Sequence, residues 1–342
     1  MLSLLPATIA LTALAASASA RPSRPFVQLD KRQSSSSSCP TSSVAASATY
    51  SGTNSTEAGD VHLRISNGGA GQSGLVGALA EAYIDWAVSN GTAEAPFSVD
   101  WVTGDTTDSI RYLESGDADV AITYNAQAEY RALNQSIASR RVYGFRDHFY
   151  LLGPQNNTAN LTDSDSVLDI FNKLTTTGDG GNGTRFLSRY DKSATNIKES
   201  LLFATIGQIP WALATSKWYH MYPQFPLQAL TAASLLGEYT LSDRGTFLTL
   251  QAQNPNITSE LVLYKAGADE DPEDLLLNPA AVLLGANVCD ENRAIAEGFL
   301  DWMEMEEGGQ AVVARYVQPG SEDILYTVAP NCTTQPEHCA GW

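Results

Sequence analysis

The chain has 342 residues, 43% hydrophobic and 17% charged, and its 20 basic and 38 acidic residues give a formal charge of −18. That sign argues against nucleic acid and anionic membrane surfaces as partners. The length suits one large domain or two small ones, and any small anion must be held by local hydrogen bonds against an overall repulsive field.

Met1 to Ala20 carries the apolar run LLPATIALTALAA and closes on Ala18-Ser19-Ala20, a secretory signal peptide with an A-x-A cleavage site, although its start lacks a basic residue. The run falls short of the roughly 20 residues a membrane span needs. Residues 21–32 read as a propeptide ending at the dibasic pair Lys31-Arg32, and residues 33–59 as a Ser/Thr-rich flexible lead-in. Apolar alternation then predicts a strand over 61–65, and helical spacing predicts a helix over 75–88. Further along come a strand over 97–101, a short helix over 106–114, and strands over 119–123 and 149–152. Helices follow over 166–174 and 196–206, then strands over 239–241, 261–264 and 281–284. An amphipathic helix over 291–306 places Ile295, Phe299 and Trp302 on one face. Strands alternating with helices predict an α/β architecture with largely parallel sheets.

N-x-[ST] sequons begin at Asn54, Asn90, Asn134, Asn156, Asn160, Asn182, Asn256 and Asn331. They predict a glycosylated, secreted protein and mark surface positions. Cys39, Cys289, Cys332 and Cys339 predict two disulfides in an oxidising compartment. Three pairings are open; Cys332–Cys339 with Cys39–Cys289 is preferred, and a free Cys39 is the alternative.

Gly69-Ala70-Gly71-Gln72-Ser73-Gly74 is a literal G-x-G-x-x-G between a strand and a helix pattern. His62 and Arg64 alternate within the preceding strand, which a dinucleotide site would bury, and a secreted protein meets little nicotinamide cofactor. The remaining physics is general: a glycine turn entering a helix offers backbone N–H groups to an anion. Two other turns have the same character. One is Ser188-Arg189-Tyr190-Asp191-Lys192-Ser193-Ala194-Thr195; the other is Thr240-Leu241-Ser242-Asp243-Arg244-Gly245-Thr246. A helix cap at Ser193 or Thr195 and an Asp-Arg pair shaping the second turn are the plain structural alternatives. Asp147-His148 resembles two parts of a hydrolytic triad, but no G-x-S-x-G elbow occurs. Metal-ligand spacings are absent, and the acidic runs 100–108 and 268–274 lack calcium-loop spacing, so neither metal nor cofactor is expected.

Over 61–328 the chain resembles the tungstate-binding, TupA-like branch of the periplasmic solute-binding superfamily. The resemblance rests on Gly116-Asp117-Ala118-Asp119-Val120, Asp147 to Pro154, Phe186 to Thr195 with Glu199, Lys217-Trp218-Tyr219, Tyr239 to Leu248 and Leu277-Asn278-Pro279. It implies a two-lobed α/β fold of type II, each lobe a mixed, mostly parallel sheet flanked by helices. Lobe 1 would be 60–147 with 281–330, lobe 2 would be 148–280, and 331–342 a Cys-containing tail. It also implies binding of a tungstate- or molybdate-like anion in the cleft, without catalysis, by a monomer whose transporter is unknown. The implied ligand positions are Ser66, Asn67, Gly68 and Gly69 in a first turn and Thr106 and Thr107 in a second. Ser188, Arg189, Ser193 and Thr195 form a third group, and Asp243, Arg244 and Thr246 a fourth. Where the family's first turn is a run of threonines and serine, this chain has Ser66-Asn67-Gly68-Gly69, which makes room for a larger carboxylate or sugar acid. Two other functions remain open: an enzyme on the same scaffold using Asp243, Asp191 or His148, and an interaction protein with an empty cleft.

Overall fold

The computed structural model describes residues 39–54, 59–317 and 322–339. The signal peptide, Lys31-Arg32 and the first residues of the Ser-rich segment lie outside the described residues. In chain order, β1 (Ala48–Tyr50) and β2 (Asp60–Asn67) lead into a one-turn helix, α1 (Gly69–Gln72), and then α2 (Leu75–Ser89). β3 (Phe97–Thr103), α3 (Thr106–Ser115), β4 (Val120–Thr123) and α4 (Ala126–Asn134) follow, before β5 (Ala138–Pro154) crosses to the second lobe. That lobe holds α5 (Val167–Asp179), β6 (Phe186–Ser188), α6 (Ala194–Thr205), β7 (Tyr219–Met221) and α7 (Pro226–Leu236). It continues through β8 (Tyr239–Asp243), α8 (Arg244–Gln253), α9 (Pro255–Thr258) and β9 (Leu261–Ala266). β10 (Leu277–Gly285) returns to the first lobe, which ends with α10 (Asp290–Glu304), α11 (Gly309–Arg315) and β11 (Thr327–Val328).

The strands follow one path, β1-β3-β2-β4-β10-β5-β8-β6-β7, with β9 and β11 added beside β5. Pairing is parallel inside each lobe, where β2 joins β3 and β4, and where β6 joins β7 and β8. It is antiparallel wherever β5 and β10 carry the chain between lobes. Helical crossovers explain the first arrangement, because a parallel partner needs a long return connection.

Each lobe has its own core. In the first, α2 buries Leu75, Val76, Leu79, Ala80, Tyr83, Ile84 and Ala87 at helical spacing, against β-strand residues such as Leu63, Ile65 and Val99. Tyr83 meets Phe299 of α10 edge-on at 5.2 Å and donates its hydroxyl to the Ile295 carbonyl at 2.7 Å, so its polar end is satisfied. In the second, Phe171, Phe186, Phe203, Trp218 and Tyr219 form an aromatic cluster, with Phe171 and Phe203 at 4.7 Å. Burying each such side chain contributes about 1.5–3 kcal/mol.

The segment expected to be flexible is ordered from residue 39 to residue 54. β1 lies antiparallel on β3, pairing Thr49 with Asp100. Ser42 Oγ and the Ser43 amide donate to Asp117 Oδ1 at 2.9 and 2.7 Å. Burial raises the Asp117 carboxyl, but these donors and Ser115 outweigh it and hold the group down to about 2. Short hydroxylated residues, read as linker chemistry, here serve as donors to a buried carboxylate. All eight sequon asparagines are exposed.

Disulfides join Cys39 to Cys289 and Cys332 to Cys339, the preferred pairing. Their sequence separations are 250 and 7 residues. Loop-closure entropy favours the longer loop, by up to about 5 kcal/mol against about 2.5 for the shorter. Replacing Cys39 and Cys289 by Ser should therefore lower the denaturant midpoint more than replacing Cys332 and Cys339. Equal losses in urea titrations would contradict this ordering.

Candidate functional site

Five helices begin around one cavity between the lobes, α7 among them through Phe225 and Pro226. Gly68 and Gly69 open α1, Asp105 and Thr106 open α3, Ser193, Ala194 and Thr195 open α6, and Asp243 caps α8; all of them line the space. The first amides of a helix have no partner within it, and the aligned peptide dipoles add positive potential there. Side-chain caps satisfy only part of this demand. Asp105 accepts the Asp108 amide at 2.8 Å, Ser193 Oγ the Asn196 amide at 3.3 Å, and Asp243 Oδ1 the Thr246 amide at 2.7 Å. The cavity leaves about 60 Å³ in which atom centres can sit. One water needs about 10–15 Å³ on that scale, so a compact group of a few heavy atoms fits.

The turn before α6 brings the cation. Arg189 is buried, lines the cavity, and is held by Asp191 Oδ2 at 2.5 Å and the Gln224 carbonyl at 3.2 Å. Tyr190 and Lys192 adopt left-handed backbone angles, φ +45° and +65°, which non-glycine residues adopt at a cost of about 1–3 kcal/mol. Hydrogen bonds over-determine the turn: Ser188 Oγ accepts the Tyr190 amide at 3.1 Å, Asn196 Oδ1 the Lys192 amide at 3.1 Å, and Asp191 Oδ1 the Ser193 amide at 3.0 Å. Beneath it, Ser188 Oγ and Asn196 Nδ2 donate to the fully buried Glu199.

Acidic groups line the same space. Asp147 sits where β5 crosses β10, opposite Asn278, accepting the His148 amide at 2.8 Å and the Asn278 amide group at 3.3 Å. Burial, and then the neighbouring Asp243 carboxylate, push Asp147 well above the ordinary carboxylate range. Burial also raises Asp105. Beside this crossing, Asp269 Oδ1 meets His148 Nε2 at 2.9 Å, Arg146 Nε at 3.1 Å and Thr327 Oγ1 at 3.1 Å. Burial opposes ionisation of Asp269, but His148 and Arg146 prevail and lower it.

Of the thirteen expected ligand positions, Gly68, Gly69, Thr106, Arg189, Ser193, Thr195 and Asp243 line the cavity. The other six do not, for identifiable reasons. Ser66 is buried against Ser109, Oγ to Oγ at 2.9 Å. Asn67 caps α1 through the Gly71 amide at 2.8 Å and donates to the Ile122 carbonyl at 2.8 Å, so its amide faces inward. Thr107 is exposed on α3. Ser188 serves Glu199, and Thr246 Oγ1 donates to Asp243 Oδ2 at 2.6 Å. Arg244 stands behind the lining, where its charge acts on Asp147 and Tyr150. Lys192, an extra cation in the sequence, is exposed. Sequence reasoning missed Asp105, Asp147 and Asn278 as lining residues, together with Phe225 and Pro226 at the start of α7. The pattern D-T-T before a helix was a legible cap signal for Asp105. The glycine motif divides: Gly69 faces the cavity, a Cβ on Gly71 would fall 2.2 Å from Trp101 Cε2, and Gly74 has φ +93°.

Burial raises Glu199 to about 8, against the lowering effect of Ser188 and Asn196. A carboxyl whose folded value exceeds its unfolded one stabilises fully below the unfolded value and loses that contribution as pH rises through the folded one. Between about pH 5 and 8 the difference in unfolding free energy between wild type and Glu199→Gln should therefore fall steadily. A constant difference across that window in denaturant titrations would show that Glu199 ionises normally.

A family profile described as PBP superfamily domain matches residues 43–307. A Haloferax volcanii protein named "Putative ABC transporter anion-binding protein" is 32% identical over 63% of this chain and 59% of its own length. "Tungstate-binding protein TupA" of Campylobacter jejuni is 25% identical over 58% and 66% respectively, so the chain spans roughly six tenths of these curated relatives. A solved structure described as "a periplasmic putative metal binding protein" is 47% identical, with a TM-score of 0.73, covering 79% of this chain and 97% of that one. The tungstate-binding protein TupA from Desulfovibrio alaskensis, 21% identical with a TM-score of 0.62 over 80% and 100%, shares the fold. With its two-lobed mixed sheet and a family match across most of its length, the chain belongs to the PBP superfamily.

Proposed function

We propose that the chain is an exported solute-binding protein that holds a small oxyanion between its lobes. The observation carrying this reading is the convergence of the α1, α3, α6 and α8 starts, with the buried Arg189, on a cavity sized for a few atoms. Uncapped amides and hydroxyls of Thr106, Ser193 and Thr195 supply donors in a fixed geometry, and Arg189 supplies the charge. Such a site binds by hydrogen bonds already in place and needs no positive surface, which reconciles anion capture with the charge of −18. The names of the Haloferax and Campylobacter relatives point to the same ligand class and to delivery to a membrane transporter. Among the described residues no helix is long and apolar enough to cross a membrane. The signal sequence and the exposure of all eight sequons support export and glycosylation.

Tungstate, molybdate or sulfate should raise the melting temperature. Anion at a hundred times its dissociation constant adds about 2.7 kcal/mol of stability. Arg189→Ala should weaken binding roughly 10–100-fold, as expected for losing a charged hydrogen-bond donor. No stabilisation by any anion in a broad screen would sink the proposal.

Gly69→Ala offers a cleaner probe of place, because a Cβ there meets no atom within 4 Å. Its methyl would enter the cavity without disturbing the fold, so affinity should drop about tenfold, or roughly 1.4 kcal/mol, with the ligand-free melting temperature unchanged. Unchanged affinity in calorimetry would move the anion away from this turn.

A further inference from the structure

An anion cleft lined by three carboxyl side chains, Asp105, Asp147 and Asp243, poses an electrostatic problem. Arg189 is already paired with Asp191, and Asp243 is engaged as the cap of α8 through Thr246. Asp147 differs from both. It is 4% exposed, has no ion pair among the described residues, and sits at the strand crossing beneath the cavity. Its two hydrogen-bond partners come from one side, the His148 amide and the Asn278 side chain. The groups facing it from the surrounding elements are few. Asp243 acts on it from the end of β8, Arg244 from the start of α8, Tyr124 from the loop after β4, Tyr150 from β5 and Tyr326 from just before β11. The three phenols are neutral at ordinary pH. Arg189 and Asp105 stand across the same cavity, Arg189 already paired with Asp191. The named charges acting most directly on Asp147 are therefore the Asp243 carboxylate and the Arg244 guanidinium.

We propose that Asp147 is a specificity-determining residue: it enters the complex as a neutral carboxylic acid and donates its O–H to an oxygen of the anion. This rests on the oxyanion reading above. The anion and one proton then occupy the cleft together, and Asp147 changes from an obstacle into a donor. The raised ionisation of Asp147, caused first by burial and then by Asp243, agrees with the geometry. In this arrangement a carboxylate that stayed ionised would lie against the ligand with only the Arg244 guanidinium to offset its charge. Above the midpoint of Asp147 the free protein carries the carboxylate, and binding must draw one proton from solvent. Below it, binding takes up none. A ligand that turns a protonated oxygen or another donor toward Asp147 is therefore discriminated against, as is any ligand presented at high pH.

The test uses the full chain. In ligand-free protein, a carboxyl carbon resonance that is missing from Asp147→Asn should titrate well above the ordinary aspartate value, and Asp243→Asn should lower its midpoint by removing the facing charge. Titration at the ordinary aspartate value of about 3.9, or below it, overturns the proposal whatever binds. Calorimetry with tungstate in buffers of different ionisation heat supplies the second readout. Above the midpoint, wild type should take up one proton per anion and lose affinity about tenfold per pH unit. Asp147→Asn, whose amide always donates, should take up none and keep a flat profile. Binding without proton uptake, with the same pH slope in both proteins, overturns this proposal alone. Absence of binding by every oxyanion overturns the oxyanion reading and this one with it.

Discussion

The arrangement of the whole cleft follows from one constraint: the starts of several helices must meet at a point between two lobes, each packed around its own core. A helix start has unsatisfied amides whether or not a ligand is present. Bringing five such starts together concentrates that demand in one small space, where water or an anion must meet it. Much else in the molecule serves the meeting. β2 and β3 deliver the chain to α1 and α3 from the same edge, because they run parallel in register, Asn67 beside Thr103. β6 and β8, also parallel, deliver α6 and α8 from the facing lobe. The parallel pairing inside each lobe is what places strand C-termini, and hence helix starts, on the cleft side.

Around that point the chemistry is balanced more finely than a simple positive pocket. Arg189 is fixed by an acidic neighbour, Asp243 and Asp105 serve as caps, and Glu199 lies beneath the turn with its ionisation suppressed by burial. The carboxyls that hold the geometry also subtract from the attraction for an anion. The pairing of Arg189 with Asp191 and the raised ionisation of the buried Asp147 and Glu199 limit this cost and leave the amides as the main donors.

The sequence revealed the strands and helices of regular character, and it concealed the crossing. β2, α2, β3 and α3 fall within a residue or two of the alternation and spacing that predicted them. β5 is visible only in its last third, since Arg140, Arg141, Arg146, Asp147 and His148 interrupt the apolar pattern. Those residues are polar because the strand meets polar partners along its length: Arg140 finds Asp301 and Glu304, Arg141 finds Glu129, Arg146 and His148 find Asp269, and Asp147 finds Asn278. β6 and β7, three residues each, are too short to show a period. The turns around the cavity were legible as helix-start chemistry, but which hydroxyl faces the cavity was not. Ser66, Ser188 and Thr246 look the same in sequence as Thr106 and Ser193, and only packing separates those that hold a turn from those that face the cavity. That turns 180 residues apart converge came from the family resemblance, because local pattern contains no distances.

The two cystines have an asymmetric placement. Cys39–Cys289 ties the N-terminal arm to the start of α10, and Cys332–Cys339 closes the tail that lies over Arg146 and Gln310. Both therefore belong to the first lobe and its extensions, while the second lobe is held by non-covalent packing, its aromatic cluster foremost. No covalent link spans the two strand crossings. The first lobe is stapled and the second is not, so a reductant in the surroundings would soften the first and leave the packing of the second as it was.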